Sequence, residues 1–189
     1  MSDSTGNSAA AAPAPAISLD GLTALVAERA QPERFVAEIA GLFRVQPTEI
    51  ALLRLEHNFL SFLFPEELKT SGTVPLSSSS SVAAHTASSK RTELFNNFTK
   101  IRHIRIFETV KLPTAEHSER VQQPLIQKLV SAPIQDDNGK VLGVIQICRK
   151  GFDVTGAGVD FSMDDVHRLE AVAKVLARAD FFREPAREK

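Results

Sequence analysis

Residues 127–150 read QKLVSAPIQ, then DDNGK, then VLGVIQICRK. Two runs rich in Leu, Val and Ile flank a short polar stretch that carries a glycine. This is the pattern of an antiparallel hairpin turning at Asp136–Gly139. The second run, flanked by Val144, Ile145, Ile147 and Cys148, is interrupted by one amide, Gln146. A buried amide finds partners or loses ~1–3 kcal/mol, so Gln146 meets either a ligand or a neighbouring side chain or water. Beyond the hairpin, Gly151, Gly156 and Gly158 mark a flexible connector, and FSMDD (161–165) opens a helix. Ser162 stands three residues before Asp165, an approximate capping box. Leu169, Val172, Ala173, Val175, Leu176 and Ala179 form the apolar stripe of that helix.

Upstream, IALLRL (50–55) and FLSFLF (59–64) are short apolar runs separated by His57-Asn58, which reads as a second hairpin of buried strands. Before it, Ser18 is an N-cap residue type followed by Leu22, Leu25 and Val26 at helical spacing. Pro32 suits the first turn of a stretch carrying Phe35, Val36, Ile39, Leu42 and Phe43. Two helices or one kinked helix fit equally. A polar loop with Gly72 and Pro75 leads to five serines, Ser77–Ser81, which cap a short helix of small residues from about Val82 to Lys90. From Asn96 the period is ambiguous. Phe98, Ile101, Ile104 and Phe107 fit a helix, the favoured reading, while Ile104 and Ile106 with intervening Arg105 fit a strand.

Residues 1–17 are mainly Ala, Ser and Pro and bury too little area to offset ordering entropy, so they are expected to form a mobile tail. The domain then spans 18–182, with a polar C-terminal tail at 183–189. Helices, hairpin, small helix, hairpin and closing helix, in that order, predict an α+β fold with an antiparallel sheet and terminal helices on one face.

The 189 residues suit one core. With 24% charged residues and a net charge of −1, no global field favours nucleic acid, and no nucleic-acid motif is present. No run approaches the ~20 apolar residues of a membrane span. The N-terminus does not read as a signal peptide, so a cytoplasmic location is expected. The single Cys148 cannot form an intramolecular disulfide, and the five histidines lack metal-ligand spacing, so no metal is expected.

Three stretches resemble the GAF domain family. VPLSSSSSVAAHTASSKR (74–91) looks like the segment leading into the family's pocket helix. LVSAPIQDDNGKVLGVIQI (129–147) is similar to its pattern of strand, charged turn and strand, and FSMDDVHRLEAVAKVLA (161–177) to its closing helix. The match covers roughly Leu19 to Ala179. The resemblance implies a GAF-like antiparallel sheet with N- and C-terminal helices on one face and a pocket-forming loop and helix on the other. It implies a sensor or regulatory module that binds a small molecule and signals through its terminal helices or a separate protein. The family's cyclic-nucleotide signature, Asn-Lys…Phe…Asp-Glu, falls on Arg149, Lys150, Phe161, Asp165 and Val166. Arg in place of Asn and Val in place of Glu count against cyclic nucleotides, while the retained Lys150 and Asp165 are expected to form a structural pair. Cys148 does not match the position of bilin attachment, so no covalent bilin is expected. The reductases of this fold depend on several cysteines.

Ligand-binding candidates are Ser79, Ser80 and Ser81, where a helix N-terminus offers free N–H groups. His85 and Thr86, one turn into that helix, and Gln146 complete the set. Each has a plainer reading: the serines as caps, His85 as a solvated bystander, Gln146 as part of a side-chain network. Lys100, Arg102, His103 and Arg105 form a basic cluster that fits a solvated face or a phosphate-bearing ligand. No nucleophile–base pair, carboxylate pair or phosphate loop stands out, so catalysis is not expected. The broad apolar sets on the terminal helices, with Phe181 and Phe182 beyond the core, predict a homodimer. The alternative function is a ligand-free dimerisation or scaffold domain whose pocket is filled by side chains.

Overall fold

The computed structural model describes residues 18–70, 72–100 and 124–183. The chain opens with α1 (Asp20–Ala27) and α2 (Pro32–Phe43). These are two helices, separated where Arg29 turns to a positive φ of 52° and Pro32 begins anew. The residue at the α1 N-cap is Leu19, without a side-chain bond, and Ser18 Oγ instead engages Asp20. Next come β1 (Ile50–Glu56) and β2 (Phe59–Phe64), joined through His57 and Asn58, both at positive φ (48° and 67°) as a tight hairpin turn requires. β1 is the more deeply buried of the two, since Phe59 is 46% exposed. After β3 (Thr73–Pro75) come α3 (Val82–Ser89), β4 (Glu93–Phe95) and a 3-10 turn at Phe98–Lys100. The hairpin of β5 (Leu125–Gln135) and β6 (Val141–Gly151) follows, then α4 (Met163–Leu176) and the short α5 (Asp180–Arg183).

The six strands form one sheet in the order β3-β2-β1-β6-β5-β4, antiparallel throughout. The long β5–β6 hairpin turns where expected. Asp136 Oδ1 accepts from the amides of Asn138 and Lys140, both at 2.9 Å, and Gly139 supplies a φ of +76°. The polar-loop reading around Pro75 missed β3, and β4 was also unforeseen, because three residues are too few to show an alternating pattern.

Strand alternation sorts the sheet into two layers. Ile145 and Ile147 of β6 join Ile50 and Leu52 of β1 beneath α1, α2 and α4. Val144 joins Ala51 and Leu53 on the opposite face, against Ala83, Ala84 and Ala87 of α3. Cys148 is 2% exposed and packs with Val82, Ile126 and Leu129. The expected division, terminal helices on one face and α3 on the other, is therefore the observed one.

Most of the apolar residues on the terminal helices that predicted a homodimer are taken up by the core, although Met163 at the start of α4 is 60% exposed. Leu22 and Phe35 are fully buried, and Phe182 is 4% exposed. Phe181 meets the Phe35 ring edge-on at 5.3 Å between centroids. The turn after α4 carries both aromatics back onto α2 and the sheet, so they belong to the core rather than lying beyond it. Arg183 completes α5, one residue past the expected boundary. The tail at 1–17, residues 184–189 and the part of the ambiguous stretch beyond the 3-10 turn, within 101–123, lie outside the described residues.

The α4 N-terminus carries the expected capping box. Asp165 N–H donates to Ser162 Oγ at 3.1 Å, and Ser162 N–H donates to Asp165 Oδ2 at 2.8 Å.

Candidate functional site

α3 begins because Ser81 caps it, its Oγ accepting from the Ala84 amide at 3.3 Å. The small side chains of Ala83, Ala84 and Ala87 let the helix lie close on the sheet, against β5 and β6. Ser81 is 5% exposed and closed into this capping role. The serines before it are taken up in turns: Ser78 N–H donates to Pro75 O, and the hydroxyls of Ser78 and Ser80 lie 3.3 Å apart. Ser79 remains exposed.

Behind the cap, α3 covers a line of polar side chains. Gln146 Nε2 donates to Ser131 Oγ at 3.2 Å, from β6 to its register partner on β5. Ser131 Oγ lies 2.8 Å from Thr86 Oγ1, and Thr86 Oγ1 donates to Glu93 Oε2 at 2.9 Å. A hydroxyl has a single proton, so these contacts have one consistent direction. Thr86 spends its proton on Glu93 and accepts from Ser131, which in turn accepts from Gln146. The other Glu93 oxygen, Oε1, meets His85 Nδ1 at 2.8 Å. An ionised carboxylate only accepts, which makes Nδ1 the donor and leaves Nε2 for whatever approaches the ring.

Burial changes sharply along this line. Ser131 and Thr86 are fully buried and Gln146 is 5% exposed. The side chains of Glu93 and His85 are 19% and 65% exposed. The structure thus brings Thr86, Gln146 and His85 into one network and leaves the serine stretch beside it. Ser131 and Glu93 were missed. Ser131 is a polar residue between the apolar Val130 and Ala132, much the signal that singled out Gln146, but its strand also carries Gln127, Lys128 and Gln135, and Glu93 gave no signal.

Lys150 and Asp165 do not pair as expected. Lys150 Nζ donates to Thr48 O at 3.0 Å, and its amide donates to Glu49 Oε1 at 2.7 Å. Asp165 is held by the capping box and by Arg168 Nη1 at 2.8 Å. Strand alternation explains the exchange. Odd positions of β6 face α4, so Arg149, with its guanidinium 4.7 Å from the Phe161 ring centroid, occupies the space expected for the lysine. Near it, Lys128 is 3% exposed and pairs with Asp160 at 2.7 Å.

Burial pushes the Cys148 thiol up to about 12, so it is protonated at neutral pH and a poor nucleophile. Among the described residues, no group of three or more His, Cys, Asp or Glu could hold a metal ion. The side chain of Lys100 and residues Arg102, His103 and Arg105 lie outside the described residues. Two surface grooves of about 750 and 470 Å³ flank the β5–β6 turn, and neither is lined by the predicted ligand residues.

The GAF domain model matches residues 19–179. The chain belongs to the GAF domain family. No curated protein matches it. Its fold is similar to the GAF domain of an Acinetobacter phosphoenolpyruvate-protein phosphotransferase (TM-score 0.57, 16% identity, covering 84% of this chain and 89% of that one). It is similar too to free methionine-R-sulfoxide reductase from Neisseria meningitidis (TM-score 0.56, 16% identity, 86% of each chain). A third neighbour is the GAF domain of a two-component sensor histidine kinase from Bacillus halodurans (TM-score 0.50, 19% identity, 89% and 97%). At these identities the likeness concerns the fold. Among the described residues of this GAF domain, no helix is long and apolar enough to cross a membrane.

Proposed function

We infer that this GAF domain is a non-catalytic sensor or regulatory module that takes up a small polar molecule at the α3 face of its sheet. The observation that carries the reading is the one-way hydrogen-bonded line from Gln146 to Glu93, ending on the exposed ring of His85. A ligand beside α3 meets His85 Nε2 and the exposed Ser79. Any shift of His85 is passed through Glu93 and Thr86 to the two longest strands. The output then runs to a separate signalling protein in the cytoplasm. The protonated Cys148 thiol supports the exclusion of thiol-based reduction from this function.

A screen of metabolites for raised melting temperature tests the reading. A stabilising compound whose effect is lost in His85→Ala, with the unliganded melting temperature unchanged, supports it. Compounds that stabilise the wild type and His85→Ala equally would remove it. One observation favours the scaffold alternative: Thr86, Ser131 and Gln146 satisfy one another and need no ligand. Under that reading no compound binds at the α3 face, and the network serves only to fix α3 on the sheet.

A further inference from the structure

The larger groove lies away from the α3 network, between the β5–β6 turn, the residues after α3, and the last turns of α4. Its volume, about 750 Å³, falls within the roughly 300–1,000 Å³ typical of ligand sites. Seven charged residues line it. Two are taken up by the turn itself: Lys90 Nζ donates to Gly139 O, and Asp136 Oδ1 accepts from the Asn138 and Lys140 amides. The other five are Arg91, Asp137, Glu170, Lys174 and Arg178. None of the five has a side-chain hydrogen bond or ion pair among the described residues. Glu170 and Lys174 stand one helical turn apart in an order that favours pairing, yet they make no ion pair. Both signs of charge therefore remain available around one concavity, three positive and two negative.

We propose that this groove is a binding site for a small dipolar molecule bearing both a carboxylate and an ammonium group, of the class of free amino acids and short peptides. Arg91, Lys174 and Arg178 take the carboxylate, and Asp137 and Glu170 take the ammonium. A simple polyanion meets two carboxylates here, which disfavours it. A strand added to the sheet edge is also disfavoured. β4 pairs β5 only over Leu129–Ser131, and past that point Pro133, which lines the groove, has no N–H to offer.

The test titrates the full chain with tri-alanine and follows backbone amide shifts by NMR. Free tri-alanine is expected to give saturable shifts around Arg91, Asp137 and Glu170–Arg178. Acetylating its N-terminus or amidating its C-terminus each weakens binding by roughly tenfold, the loss of one charge-assisted hydrogen bond. Glu170→Gln weakens the free and amidated peptides but leaves the acetylated one unchanged, and Arg91→Ala with Arg178→Ala does the reverse for the amidated one. Arg91 and Arg178 are exposed and Glu170 is half-buried without a side-chain partner, so these variants keep the wild-type melting temperature. Shifts that grow linearly without saturating mean a solvated charged face only and overturn the proposal. Equal affinity for free and blocked peptides overturns it as well.

Discussion

Thr86 on α3 and Ser131 on β5 stand 45 positions apart in the chain, and their hydroxyl oxygens lie 2.8 Å apart. Both residues are fully buried, so this contact locks α3 to the sheet by a polar bond in an otherwise apolar layer. Removing Ser131 Oγ deprives Gln146 of its acceptor as well as Thr86 of its donor. Ser131→Ala is expected to cost about 1–3 kcal/mol. Because the groups share one network, Ser131→Ala and Gln146→Leu together should cost less than the sum of the two. Urea unfolding of the single and double variants measures the coupling, and strict additivity would deny the network.

Gly143 leaves no space for a methyl group. A Cβ there lies 2.2 Å from Leu53 O and 2.6 Å from Phe182 Cε1. The first of these is backbone of the paired strand β1 and cannot give way cheaply. Gly143→Ala should destabilise by about 3 kcal/mol or more. The corresponding fall in melting temperature is roughly 10 °C. An unchanged melting curve by circular dichroism would show that β1 and β6 can separate there.

The Cys148 thiol, pushed up from 9.0 to about 12 by burial, predicts a pH dependence with a definite sign. Between these values the unfolded chain releases the thiol proton while the native chain keeps it. Stability is therefore undiminished below pH 9 and falls above it, by about 1.4 kcal/mol per pH unit from this group. Cys148→Ala abolishes that part of the slope. Urea midpoints of both proteins across the alkaline range make the comparison. Parallel curves would count against a buried, protonated thiol.

Leu22 is fully buried and Leu25 is 8% exposed, both within the core that α1, α2 and α4 share. A glutamate at position 22 puts a charge into that core rather than onto a subunit interface. Leu22→Glu is expected to abolish the cooperative melt altogether. Light scattering combined with circular dichroism tests this. A variant that stays folded but changes from dimer to monomer would restore the terminal helices as an interface.

What the sequence determined alone is what its local chemistry dictates. Both hairpins were legible because His57-Asn58 and Asp136–Gly139 carry turn residues between apolar runs. The α4 start was legible because Ser162 and Asp165 sit at capping distance, and α3 because Ser81 precedes small helix-compatible residues. Gln146 was legible as a polar anomaly in an apolar strand, but not its partner. Tertiary structure alone decided that Ser131 lies opposite it, that Thr86 comes down on Ser131 from a helix, and that Glu93 receives both Thr86 and His85. Those meetings depend on strand register and on the height of α3 above the sheet, which no local pattern encodes. The same holds for Lys150. Its place in the family's signature suggested Asp165, but the alternation of β6 turned Arg149 toward α4 and left Lys150 to the backbone of Thr48. Phe181 and Phe182 likewise looked like surplus apolar area in one dimension. Only the turn after α4, bringing them onto Phe35 and Gly143, made them core.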